Sequence, residues 1–170
     1  MASYEFFKSE YKFRGKHAKM VSELWSLNDY EHTYFKRLVD IIPLAAVIGF
    51  RMNRKAMEDY APVETKTVFL QQMLNAKEDL DFIMQMMIML EHAESLSQEQ
   101  AVKKAFRGAE TKEEFEQYQD MFDSYVRGGV EELYERLIIR KADSDDKFYE
   151  NKTANLMVLL ERFVPDKALQ

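Results

Sequence analysis

Apolar residues recur every three or four positions over most of this chain, a spacing that predicts helices. Across 17–27, Met20, Val21, Leu24, Trp25 and Leu27 share one helical face, and Asn28 and Asp29 end it in a turn. Thr33 is a candidate N-cap for the next segment, in which Phe35, Leu38, Val39, Ile42, Ala46 and Phe50 fall on successive turns. Leu44, Ala45, Val47 and Ile48 fill the remaining sides, so this helix is apolar nearly all round and is predicted to lie buried at the centre. Pro43 removes a backbone donor inside the run and predicts a kink or a split. Ala45, Ala46 and Gly49 would let a neighbouring helix approach closely.

Residues 53–62 read as a connection, after which Thr65 caps a short helix containing Val68, Phe69, Met73 and Leu74. Asp79 opens a second one carrying Leu80, Ile83, Met84, Met87, Ile88 and Leu90. Ser97 with Gln100, and Thr111 with Glu114, have the spacing of capping boxes, and Gly108 stops the helix between them. Gly128-Gly129 interrupts the stripe of Phe115, Tyr118, Phe122 and Tyr125 before Val130, Leu133 and Leu137 resume it, so one kinked helix or two helices at an angle are expected. A polar break at 143–146 precedes a last helix over about 147–163, closed by Pro165. Residues 1–16 mix aromatic and basic groups without a clear helical period, and Gly15 breaks them off. The predicted fold class is all-α: a single compact multi-helix domain of about seven helices around a buried central helix near 33–54. A basic and aromatic N-terminal arm (1–16) precedes the helical domain (17–164), and a tail (165–170) follows.

Composition agrees with one helical domain: 170 residues contain only five Gly and three Pro, too few turn formers for many short strands. The absence of Cys removes disulfides and thiolate metal sites. The longest apolar run, Ile41–Phe50, is ten residues, against the roughly 18 to 20 that a membrane span needs. The N-terminus has no apolar signal core, so a cytoplasmic location is expected. Of the net charge of −6, residues 1–20 carry five bases against two acids and residues 91–135 carry twelve acids against five bases. That asymmetry predicts two regions facing different surroundings.

Candidate chemistry is sparse. His17, His32 and His92 stand in unrelated segments and read as surface or turn residues, and no pair of Glu-x-x-His motifs exists for a di-iron site. No Gly-x-Ser-x-Gly, Walker or dinucleotide loop occurs, so no catalytic residue, metal ligand or cofactor is assigned and the chain is read as non-enzymatic. The methionines Met84, Met86, Met87 and Met89 fit core filling better than a pliable binding groove. Lys12, Arg14, Lys16 and Lys19 near the N-terminus, with Arg51, Arg54 and Lys55 after the central helix, are the candidate nucleic-acid contacts, the arm's aromatics being available to stack on bases. Against that reading stands the pI of about 5.2, far from the basic footprint of a dedicated nucleic-acid module.

The order of Phe35 to Phe50 with Asp40, Ala45-Ala46 and Gly49-Phe50, then Leu80 to Leu90, then Phe115 to Leu137 with Tyr125 and Gly128-Gly129, resembles the DNA sulfur modification (dnd) system-associated protein 4 family, over roughly residues 33–138. The resemblance implies a small helical bacterial accessory encoded with DNA-modification or phage-defence genes, with a larger defence-system protein as partner and no catalytic residues to carry over. Direct DNA binding through the basic residues is the alternative. A small enzyme with an unrecognised site is a further one, and homo-oligomerisation is compatible with either.

Overall fold

The computed structural model describes residues 4–25, 33–139, 153, 155–157 and 159–160. Along the chain lie strand β1 (Tyr11–Arg14), helix α1 (Gly15–Leu24), a 3-10 turn (Leu38–Asp40), α2 (Ile41–Arg51), β2 (Thr65–Val68), α3 (Leu70–Glu91), α4 (Gln98–Arg107) and α5 (Lys112–Tyr134), which runs on into a π-helical turn (Glu135–Ile139). The fold is mostly helical, as the periodicity predicts, with a small antiparallel sheet added. The expected break at 143–146 and the tail at 165–170 lie outside the described residues. Of the last predicted helix only Thr153, 155–157 and 159–160 are described, all helical, with Leu159 in the core.

Helix α2 is the buried centre, and it is shorter than 33–54: Thr33 does not cap it, and the chain reaches it through the 3-10 turn. Pro43 produces no interior kink, because it stands at the third helical position, where a backbone N–H has no intrahelical acceptor to lose. Ile41, Ile42, Ala45, Ala46 and Ile48 are buried, and α5 packs directly on the small residues among them. A Cβ on Gly129 would collide with the Ala45 carbonyl oxygen, one on Gly128 with that of Arg54, and one on Gly49 with that of Tyr125. The glycine pair therefore marks no break. α5 passes through it as one helix because the missing side chains are what allow two backbones to touch.

Residues 4–14 are not an arm. Phe6, Phe7 and Phe13 are buried; Phe6 stacks on Phe115 at 5.0 Å, and Phe7 meets Phe122 edge-on at 4.9 Å. The signal in this stretch is a period of two: Tyr11 and Phe13 turn inward while Lys12 and Arg14 turn out, so β1 pairs with Thr65–Val68, where β-branched residues supply the second strand. Thr65 accordingly opens a strand rather than a helix, and Asp79 is interior to a continuous 22-residue α3. Gly15 turns the chain from β1 into α1 with φ of +55°, where Asp59 Oδ2 accepts the Lys16 N–H at 2.7 Å and caps the helix from a distant loop. Ser97 and Thr111 cap α4 and α5 as read from the sequence, each accepting the N–H three residues on, and Gly108 ends α4 at φ of +72°.

The close crossing fixes the sign of one mutation. On helix propensity alone, Gly129→Ala in the middle of α5 would stabilise by about 1 kcal/mol. The collision with Ala45 reverses this, and a loss of about 3 kcal/mol or more is expected. Urea denaturation reads it directly, and a stabilised Gly129→Ala protein would be incompatible with this packing.

Candidate functional site

The C-terminal end of α5 presents Glu131 and Glu132, and the π-helical turn that follows adds Glu135, a position where acids are disfavoured by the helix dipole. Arg54 answers them. Its Nη1 donates to Glu132 Oε2 at 2.8 Å, and its Nη2 to Glu135 Oε1 at 2.6 Å and to Glu131 Oε2 at 3.2 Å. Arg136 Nε donates to the other oxygen of the buried Glu132 at 3.1 Å. From α1, Lys16 Nζ and His17 Nε2 reach Glu131 Oε1 at 2.8 and 2.9 Å. The hydrogen bond to Glu135, with those to Glu132 and Glu131, holds the Arg54 pKa far above its ordinary value against the effect of burial. Burial pushes the Glu131 carboxyl up, but Lys16 and His17 outweigh it and hold the pKa below the usual value.

His17 is not a surface residue. It is 1% exposed, its Nδ1 has no hydrogen-bond partner among the described residues, and burial lowers its pKa despite the opposing pull of Glu131. His92 is half-buried, edge-on to Tyr118 at 6.4 Å; His32 lies outside the described residues. The basic N-terminal stretch and the acidic later segment, expected to face different surroundings, thus meet at Lys16 and Glu131, while Lys8, Lys12 and Arg14 pair with acids outside 91–135.

The seven candidate nucleic-acid contacts do not form one free patch. Lys16 and Arg54 belong to the network just described. Lys12 pairs with Glu10 at 2.8 Å and Arg14 with Glu58 at 3.1 Å, both at the surface. Lys55 lies 4.8 Å above the Tyr125 ring. Lys19 and Arg51 are exposed, on α1 and at the end of α2.

A polar cleft of about 400 Å³ opens between β1, the loop around Glu58 and α5. Gln119, Asp123 and Arg127, four residues apart on α5, form one wall. Arg127 Nε donates to the Ala56 carbonyl at 2.9 Å, and Gln119 Nε2 donates to Asp123 Oδ1 at 3.0 Å. Burial pushes the Asp123 pKa up to about 6, with Gln119 and Arg127 opposing the shift. No signal in the sequence sets this ladder apart, since α5 carries many other charged and polar residues. Among the described residues, no group of three or more His, Asp or Glu converges as a metal site, and no helix is long and apolar enough to cross a membrane.

The outer side of α3 is the other distinctive surface. Met84 and Met87 are buried in the core, whereas Met86 and Met89 are half-buried beside Phe82, 67% exposed, and Leu90, 46% exposed. At about 100° per residue these four share one face of the helix. Comparison with family models, with curated proteins and with solved structures finds no match.

Arg54→Ala would leave three glutamates facing one another, one of them buried, and is expected to cost about 2–4 kcal/mol, read by chemical denaturation. Asp123 contributes with the opposite sign. The folded state holds its proton more tightly than the unfolded chain, so its contribution is most favourable below the ordinary value of 3.8 and is lost as pH rises through about 6. Asp123→Asn is therefore expected to stabilise the protein at pH 8 by about 1–3 kcal/mol and to change little near pH 4. The difference between parent and variant across pH isolates Asp123 from His17, whose lowered pKa makes stability fall as pH drops below 6.5.

Proposed function

We propose that this chain is a non-enzymatic adaptor of a bacterial DNA-modification or phage-defence system, acting in the cytoplasm by docking on a larger protein of that system. The observation that carries the docking is the α3 face: two large apolar side chains, Phe82 and Leu90, stand exposed next to the adaptable thioethers of Met86 and Met89. A helix face of this kind suits the apolar groove or sheet of a partner. The defence-system context rests on the resemblance to the dnd-associated family alone. That likeness is carried in part by Ala45, Ala46, Gly49, Gly128 and Gly129, which act in packing, so it speaks for a shared architecture more than for a shared chemistry.

Direct DNA contact is the weaker reading, because Lys12, Arg14, Lys16, Arg54 and Lys55 each have an internal partner. The exposed pairs at Lys12 and Arg14 could still exchange their carboxylates for phosphates at low salt.

Affinity capture from the native host is expected to recover a protein encoded beside this one, and the Phe82→Asp/Leu90→Asp variant is expected to lose it. Both side chains are exposed, so that variant's thermal unfolding should match the parent's within a few degrees, roughly the shift that 1 kcal/mol produces. Recovery of no defence-system protein, or equal recovery with the variant, would count against the adaptor. A gel shift that weakens steeply with salt would move the function to DNA.

A further inference from the structure

Asp and Arg four residues apart on a helix ordinarily bridge. Asp123 and Arg127 have this spacing, yet no ion pair joins them. Each is drawn away from the other, Arg127 toward the loop by its Nε bond to Ala56 and Asp123 back along α5 by Gln119. The two Nη groups of Arg127 and the Oδ2 of Asp123 make no hydrogen bond to a described residue, and both side chains line the cleft. Across from them, the charges of Lys12 with Glu10 and of Arg14 with Glu58 are already matched. What the cleft leaves unmatched is one cationic fork and one carboxylate oxygen, side by side and held apart.

We propose that this cleft binds a small zwitterion of the α-amino-acid class, its carboxylate on the Arg127 fork and its ammonium on Asp123. The pairing follows from the chemistry of the two free groups. A guanidinium fork matches a carboxylate in two parallel hydrogen bonds, and a carboxylate matches an ammonium. With Glu10 matched by Lys12 and Glu58 by Arg14, the charges left to a ligand are Arg127 and Asp123, which sum to zero and favour a zwitterion over a phosphate. A volume of about 400 Å³ lies in the range of small-molecule sites. Burial disfavours the charged form of the Asp123 carboxylate, and an ammonium on its free oxygen would offset that, a pattern typical of binding sites. The site shares no residue with the α3 face, so it stands or falls apart from the adaptor reading.

Isothermal titration of the full chain with the common α-amino acids tests the proposal, beside matched carboxylic acids lacking the amine, amines lacking the carboxylate, nucleosides and inorganic phosphate. At least one amino acid is expected to bind. Its affinity should fall about tenfold or more on removal of either charged end, and equally in Asp123→Asn and Arg127→Gln. Asp123→Asn keeps the side chain's shape and relieves a buried charge, so it decides the matter even if Arg127→Gln loses its loop contact and unfolds. The proposal is overturned if no amino acid binds, if binding survives in Asp123→Asn, if an analogue lacking one end binds as well as the zwitterion, or if a nucleoside or phosphate binds instead.

Discussion

The contact of backbone on backbone between α2 and α5 is the constraint from which the rest of the molecule follows. With Gly49, Gly128 and Gly129 at the crossing, two helices come closer than any side chain would permit, and small apolar residues replace the usual interdigitation. The closeness also delivers Arg54. This residue leaves α2 with its N–H donating to the Gly49 carbonyl at 2.8 Å, and its own carbonyl lies against Gly128. Its side chain then falls on the acids one turn further along α5.

The charged network is therefore a consequence of the crossing and depends on it. Three glutamates near a helix C-terminus would be a liability alone; with Arg54, Lys16, His17 and Arg136 they tie α1, the end of α2 and α5 to one point. Pairs of this kind add modest net stability because desolvation offsets attraction, whereas loss of a single partner strands the others. Their contribution here is to register, since Glu131 holds both Lys16 and the buried His17 of α1.

How much of this was legible in the sequence depended on how local the controlling interaction is. Ser97, Thr111 and Gly108 act within one turn, so the bounds of α4 and the start of α5 could be read from them. The burial of Ile41, Ile42, Ala45, Ala46, Ile48 and Gly49 followed from the apolar run, although Leu44 in the same run is 41% exposed. The strands could not be placed by local reading, since β1 and β2 are joined across some fifty residues and the two-residue period of Tyr11-Lys12-Phe13-Arg14 is too short to stand out among aromatics. Gly128-Gly129 looked like a break because helix propensity is a local quantity, while the reason for two glycines lies on another helix. For the candidate site, the basic residues were legible as residues but their partners were not: Arg54 lies about eighty positions from Glu132 and Glu135.

Helix α5 shows how one element can serve several demands at once. At about 100° per residue, Tyr125, Gly128, Gly129 and Glu132 point toward α2, and Gln119, Asp123 and Arg127 point the opposite way, into the cleft. The first set is tightly determined, since every member is filled, touched or paired. The second set is not: an Asp and an Arg at bridging spacing make no ion pair, and among the described residues no cation bonds the free oxygen of the half-buried carboxylate. Elsewhere on this helix each local cost is answered: the glycines give up propensity to the crossing with α2, and the acids near the C-terminal end are met by Arg54 and Lys16. A fold that satisfies its own charges so fully at Arg54 had the means to do so at Arg127, and a conflict kept where it could have been resolved is the mark of a site shaped for a ligand.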